Sequence, residues 1–389
     1  MKRILFLYIA ISSGHQRAAE AVMGAVTRLT PRVKPIGIDS FTHAYPVLGR
    51  LLARTYLEML KYTPQIWEYL YDNPRVAVAT REIREALNIM NAGKLLRLYT
   101  KHRPRAFVCT QALPMTVLAA LKRRGKIRAP IVGVVTDYDV HSYWLSRHVD
   151  LYLVATEEIK RKLVREGIRE GRVLVTGIPV DPHFALAGDK SAERARLGLH
   201  AHRPTVLVMG GSRGLGPLGD IVARLRALPL SPQVIAVCGD NRPVFNELTR
   251  RFGHDRSVRV FGFTRSMPRL MDAADLLVSK PGGLTCAESM AKGLPLVMVR
   301  PIPGQEERNA AYMLRHNAAE RVEDMKELAA VVERLLTHPE RLHRLRDRAL
   351  ELSKPRAAFD AAEAVLKLVK EPVLHASAEP HERPRAAVA

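Results

Sequence analysis

Three glycine-bearing turns and one histidine hold most of the chemistry this sequence offers. The first turn, Ile11-Ser12-Ser13-Gly14-His15-Gln16-Arg17-Ala18-Ala19, follows an apolar run and opens a helical stretch. Small residues let backbone approach a ligand closely, and a helix N-terminus offers unpaired N–H groups to negative charge. His15, placed at a strand's carboxyl end, suits a general base near neutral pH, although a structural hydrogen bond at a helix start explains it equally. The second turn, Gly210-Gly211-Ser212-Arg213-Gly214-Leu215-Gly216-Pro217, adds a hydroxyl and a guanidinium, a set suited to a diphosphate. The third, Ser279-Lys280-Pro281-Gly282-Gly283-Leu284-Thr285-Cys286-Ala287-Glu288, ends a strand and begins a helix near Thr285. Thr285 and Glu288 have capping-box spacing; the alternative puts phosphate on the loop amides and Glu288 on vicinal ribose hydroxyls. The residue types leave both open.

Two polar runs complete the inventory. Pro303-Gly304-Gln305-Glu306-Glu307-Arg308-Asn309 offers donors and acceptors for sugar hydroxyls, or a solvated helix start. Asp137-Tyr138-Asp139 has the pattern that holds a divalent cation in many sugar transferases. Two acids are too few to specify Mg²⁺, and the phosphate turns and basic residues already neutralise charge, so no metal is assigned. The turn after the first strand is not GxGxxG, so the dinucleotide fingerprint is absent there and a nicotinamide-dependent oxidoreductase is disfavoured.

Placing these residues requires short buried strands alternating with helices. Apolar runs at 4–11, 106–110, 131–136, 151–155 and 173–177 form one set of strands. Runs at 205–210, 233–238, 258–263, 276–279 and 296–300 form another. Amphipathic stretches such as 18–29, 156–166 and 284–291 lie between them. The pattern predicts an α/β chain of two doubly wound, Rossmann-like domains facing a central cleft that holds the ligand. Pro179, Pro182, Gly188 and Pro204 interrupt the rhythm. The expected divisions are a first domain at 1–182, a linker at 183–203, a second domain at 204–350, a helix at 351–370 and a disordered tail at 371–389.

Composition narrows the class. In 389 residues, 47% hydrophobic content supports large cores, and three separated cysteines argue against a disulfide scaffold or structural zinc and for reduced thiols in the cytosol. No apolar run approaches the roughly 18–20 residues that span a bilayer. The formal charge is +22, and the stretch 75–128 alone holds 13 Lys or Arg against 2 acids. Such a patch attracts polyanions, but no nucleic-acid-binding signature accompanies it. The stretch 41–72 carries Tyr45, Tyr56, Tyr62, Trp67, Tyr69 and Tyr71, a composition suited to a membrane interface or to helix packing.

Taken together, these motifs resemble the GT-B-fold glycosyltransferases of the monogalactosyldiacylglycerol synthase and processive diacylglycerol glucosyltransferase family. The resemblance rests on Gly14-His15 with Ala18-Ala19, Val135-Thr136-Asp137 with His141 and Trp144, and Thr176-Gly177-Ile178-Pro179-Val180. It extends through Gly262-Phe263-Thr264, the Ser279–Thr285 turn, Glu288, and Gly304-Gln305-Glu306 with Asn309. It implies a UDP-sugar (UDP-glucose or UDP-galactose) in the second domain and diacylglycerol against the first, with inversion and no added cofactor. Phe263 and Thr264 should then hold uracil, and Glu288 the ribose. Ser212, Gly283 and Thr285 should hold the diphosphate, with Gly14, Lys280, Gly282 and Leu284 around the donor and Arg213 beside it. Gln305, Glu306 and Asn309 should read the sugar, and His15 should be the base, with Asp137 a second candidate. The charge and the aromatic stretch would then hold a cytoplasmic enzyme peripherally on the anionic inner face of the cell membrane. The alternatives are an N-acetylglucosaminyltransferase with a polyprenyl-linked acceptor, or a non-catalytic nucleotide-sugar sensor. Oligomeric state is left open.

Overall fold

The computed structural model describes residues 1–10, 13–40 and 81–370. Ile11 and Ser12, the aromatic stretch 41–72 and the tail 371–389 lie outside the described residues.

Two six-stranded parallel sheets dominate the chain. The first contains β1 (Lys2–Tyr8), β2 (Val33–Asp39), β3 (Ala106–Cys109), β4 (Ile131–Val134), β5 (Leu151–Val154) and β6 (Val173–Val175), ordered β2-β1-β3-β4-β5-β6. The second contains β7 (Thr205–Met209), β8 (Gln233–Val237), β9 (Val258–Phe261), β10 (Leu276–Ser279), β11 (Leu296–Val299) and β12 (Ala319–Val322), ordered β12-β11-β10-β7-β8-β9. Ile4 to Leu7 of β1, and all of β3, β4, β7, β8, β10 and β11, are buried, as strands covered on both faces by helices require.

Helices connect the strands: α1 (Ser13–Leu29), α2 (Arg81–His102), α3 (Ala112–Arg123), α4 (Glu157–Arg165), α5 (Lys190–Arg196), α6 (Leu218–Arg226) and α7 (Arg242–Phe252). They continue as α8 (Met267–Ala273), α9 (Gly283–Lys292), α10 (Gln305–Arg315), α11 (Leu328–Thr337), α12 (Pro339–Leu352) and α13 (Ala357–Leu368). The expected linker holds a helix, and the expected C-terminal helix occurs at Ala357–Leu368. Segment 183–203 contains α5, which is fastened to the second sheet's side. There Arg194, 4% exposed, donates to the carbonyls of Ala273 and Ala201 and pairs with Asp275. Helix α13 crosses back to the first sheet, burying Ala358, Ala361, Ala362 and Val365 against Val22, Ala25 and Val26 of α1.

Each sheet reverses its strand order once. The reversal lies between β1 and β3 in the first sheet and between β7 and β10 in the second. Loops leaving such neighbouring strands in opposite directions open a crevice at their carboxyl ends, where doubly wound folds bind ligands. The three glycine turns follow β1, β7 and β10. Topology therefore brings together what the sequence held far apart.

Candidate active site between the two sheets

The turn after β10 is shaped by where its helix starts. Gly282, with extended backbone and no side-chain cap, is the N-cap of α9, and the first helical bond runs from Cys286 N to the Gly282 carbonyl at 2.9 Å. The helix thus begins two residues before Thr285, and Thr285 and Glu288 form no capping box. The amides of Gly283, Leu284 and Thr285 are those a helix leaves without an internal partner, and they carry its positive dipole end. Gly283 is required for another reason: a Cβ there would lie 2.0 Å from the Thr136 carbonyl oxygen of the first domain. Bare backbone lets the two domains touch at this point.

The turn after β7 is folded against the loop that follows β8. Gly211, Gly214 and Gly216 have φ of 69°, 54° and 107°, and a Cβ on Gly214 would meet the Cys238 carbonyl at 2.0 Å. Asp240 N donates to the Ser212 carbonyl at 2.7 Å, and Asn241 Nδ2 donates to the Gly214 carbonyl at 3.0 Å. Asn241 also caps α7, so one side chain joins the turn to a helix. Arg213 stands 3.9 Å from Asp240, and its buried Nε has no hydrogen-bond partner among the described residues.

These turns enclose a cavity of about 330 Å³. From the second domain, Ser212, Arg213, Phe263, Thr264, Lys280 and Gly282 to Thr285 line it, as do Glu288, Gln305 and Glu306. From the first domain, Gly14 and Arg17 line it. Lys280 Nζ lies 3.1 Å from Glu306 Oε1, while Glu306 Oε2 accepts from Ile302 N at 2.8 Å, which anchors the turn before α10. Burial pushes the half-buried Glu288 carboxyl up to about 8; the nearby Arg17 opposes that shift and Asp181 adds to it. Arg17 places its guanidinium 5.2 Å from the Phe263 ring, across the cleft, and pairs with Glu20 at 2.7 Å.

Beside the cavity stand His15, Asp137 and Asn309, none of which lines it. His15 lies in the first turn of α1; Thr110 Oγ1 donates to its carbonyl at 2.8 Å, and its Nδ1 is 3.0 Å from Thr136 Oγ1. Burial pushes its pKa down to about 4, so the imidazole is neutral at pH 7. Asp137 faces α10: Oδ1 accepts from Asn309 Nδ2 at 3.0 Å and Oδ2 accepts from Gln305 Nε2 at 3.1 Å. Burial pushes its pKa up to about 6, against the lowering bond from Asn309. Asn309 is fully buried and also accepts from Tyr138 N at 2.8 Å, while Tyr138 stacks on Tyr312 at 4.6 Å. In this arrangement Asn309, expected at the sugar, engages its amide in joining the domains. Asp139 is held by Lys162 at 2.7 Å and Arg308 at 3.5 Å, so the two acids of Asp137-Tyr138-Asp139 bind different partners. Among the described residues no group of three or more His, Cys, Asp or Glu forms a metal-holding cluster.

Sequence reasoning gave no role to Arg17, Thr110 and Asn241, and quoted Thr136 only within the Val135-Thr136-Asp137 motif. Arg17 had a readable signal: it stands three residues after Gly14, on the same helix face. The others act through tertiary contacts that no local pattern encodes.

Two parallel six-stranded sheets, with glycine turns of one meeting a buried histidine of the other across a cleft, have the GT-B architecture. Residues 15–180 match the family described as monogalactosyldiacylglycerol (MGDG) synthase, and residues 205–362 match the glycosyltransferase family 28 C-terminal domain. The chain belongs to this family of glycosyltransferases. A processive diacylglycerol beta-glucosyltransferase of Staphylococcus haemolyticus is 28% identical over 355 residues, covering 90% of this chain and 88% of that one. The protein of the same description from Staphylococcus carnosus is 28% identical over 316 residues, covering 80% and 78%. In fold, the chain is similar to Acinetobacter baumannii MurG, with a TM-score of 0.60, 16% identity and coverage of 94% and 100%. It is also similar to S. aureus MnaA solved with UDP, with a TM-score of 0.65, 12% identity and coverage of 96% and 99%.

Proposed function

We propose that this chain transfers a hexose, glucose by the relatives' activity, from a UDP-sugar to the free hydroxyl of 1,2-diacylglycerol with inversion. The product is a β-glycosyl diacylglycerol. The observation that carries this reading is the pairing across one cleft of an uncapped helix N-terminus at Gly282-Gly283 with a neutral His15 opposite.

In this reading the amides of Gly283 to Thr285, together with Ser212 and Arg213, receive the diphosphate. Negative charge grows there as UDP departs, so donors already aimed at it stabilise the transition state. Glu288 takes the ribose hydroxyls, Phe263 and Thr264 flank the uracil, and Arg17 closes over that end from the first domain. A proton on His15 Nδ1, shared with the Thr136 hydroxyl, leaves Nε2 free to take the acceptor's proton as the oxygen attacks the anomeric carbon. Asp137 is the weaker candidate base, because each of its oxygens already accepts an amide hydrogen bond. Its role here is to seat α10 against the first domain.

The acceptor dissolves in a bilayer, yet no described helix is long and apolar enough to cross a membrane. Peripheral contact is therefore part of the proposal. The aromatic stretch 41–72 follows β2, whose carboxyl end lies on the cleft side of the sheet. The test is incubation of purified protein with diacylglycerol vesicles and separate UDP-sugars, with the lipid products identified. Glucosyl diacylglycerol from UDP-glucose is expected. Transfer only to a polyprenyl-linked acceptor, or UDP-sugar binding without any lipid product, would overturn the reading.

A further inference from the structure

The amino ends of the first sheet's strands, away from the cleft, gather a second set of cations. Arg103 and Arg105 precede β3; Arg123, Arg124, Lys126 and Arg128 precede β4; Arg147 precedes β5; Arg169 and Arg172 precede β6. Near β5 and β6 a cavity of about 250 Å³ is lined by Arg147, Arg169 and Arg172, with Ser146 and Gly167 among its other walls.

This cavity is built rather than incidental. Arg172, half-buried, is fixed by Nη1 donating to the carbonyls of Arg147 at 2.9 Å and Val149 at 3.3 Å. Arg147 lies over Gly167, where φ is +86° and a Cβ would come within 3.0 Å of Nη2. Glycine thus supplies both the left-handed turn and the room for the guanidinium.

The described residues supply no counter-charge here. Among the described residues no carboxylate forms an ion pair with Arg147, Arg169 or Arg172. Of the acids close by in sequence, Asp150 pairs with Lys122 and Glu170 with Lys160, while Glu166 forms no ion pair with these arginines. Other arginines of this chain do have partners, such as Arg226 with Asp255 at 2.8 Å and Arg321 with Glu307 at 2.6 Å. Three guanidiniums around one cavity repel each other until an anion enters, and their planar donor forks match phosphate oxygens.

We infer that this cavity binds a phosphate-type anion, free or as the phosphate of a lipid headgroup, at a site separate from the donor cleft. The experiment uses the full chain saturated with UDP, so that the donor turns are filled. Inorganic phosphate is titrated calorimetrically, and sedimentation is measured with phosphatidylglycerol and with phosphatidylcholine vesicles. The variants are Arg147→Ser with Arg169→Ser, both at exposed side chains, and Arg169→Glu alone should the pair fold poorly. UDP affinity and Tm serve as folding controls. At least a tenfold loss of phosphate affinity in the variant identifies a soluble anion as ligand. An equal loss confined to phosphatidylglycerol vesicles identifies a headgroup. Native and variant proteins that behave alike in both assays overturn the inference.

Discussion

The raised pKa of Glu288 makes a quantitative prediction for donor binding. With a value near 8, roughly nine-tenths of the free protein carries a proton on this carboxyl at pH 7. A carboxyl that accepts hydrogen bonds from two ribose hydroxyls must lose that proton. UDP binding at pH 7 should therefore release about 0.9 proton, and the release should fade by pH 9. The ionisation penalty at pH 7 is one pKa unit, about 1.4 kcal/mol, so UDP affinity should rise roughly tenfold between pH 7 and pH 9. The nucleotide's own terminal phosphate ionises near pH 6 and contributes little above pH 7. Calorimetric titration in buffers of different ionisation enthalpy reads the proton count directly. Glu288→Gln should abolish both the proton release and the pH dependence while weakening UDP. The same carboxyl also works against the unliganded fold. Its folded pKa lies above the ordinary 4.5, so ionisation erodes stability progressively from pH 4.5 to 8. Bound UDP should offset this loss. No proton release by the native protein, or equal release by Glu288→Gln, would refute the ribose assignment.

Three further outcomes are expected. His15→Ala should lower kcat by about 10²–10⁴-fold with UDP affinity little changed, and near-native turnover at saturation would remove His15 as the base. Gly283→Ala should force the domains apart at Thr136, lowering transfer by ~10²-fold and enlarging the radius of gyration in small-angle scattering. An unchanged scattering curve would count against that contact. Arg17→Ala should raise KM for the UDP-sugar roughly two- to thirtyfold, the range of a cation–π contact, with kcat less affected; a change in kcat alone would place Arg17 on the acceptor side.

Central strands and glycine turns were legible because burial on both faces writes a continuous apolar run, and a tight turn after it needs glycine. The ten strands read from the sequence all occur. The two that were not read, β2 and β12, are edge strands of mixed composition: β2 holds Pro35 and Gly37, and β12 reads Ala-Glu-Arg-Val. Pro and Gly inside β2 and the adjacent charges inside β12 break the apolar run that marked the other strands, including the edges β6 and β9. The start of α9 was also hidden, since Gly283 is fixed by a contact with Thr136, nearly 150 positions earlier in the chain. Local spacing left a capping box and a phosphate turn equally open, and the observed N-cap at Gly282 leaves no capping box. Asn309 shows the same limit. Its residue type suits a sugar hydroxyl, and only the packing of α10 on Asp137 and Tyr138 reveals its bonds across the domains.

Charge is where sequence and structure diverge most in meaning. The excess between 75 and 128 reads as one patch along the chain, beside an aromatic stretch, and invites a single membrane-facing surface. In the fold, Arg103, Arg105, Arg123, Arg124, Lys126 and Arg128 sit at the amino ends of β3 and β4. The donor cleft opens at the carboxyl ends. A four-residue strand alone separates these poles by about 13 Å, before any loop is counted. That already exceeds the Debye length of roughly 10 Å at 0.1 M salt, so the cations act weakly on a bilayer lying at the cleft's rim. In the proposed mechanism the membrane-confined acceptor enters near His15, on the opposite pole from these six cations. Holding the enzyme near an anionic surface and admitting its lipid are therefore tasks for different faces of the first domain. The basic pole serves an anion of its own, and the cleft side has to meet the acceptor through contacts other than these arginines.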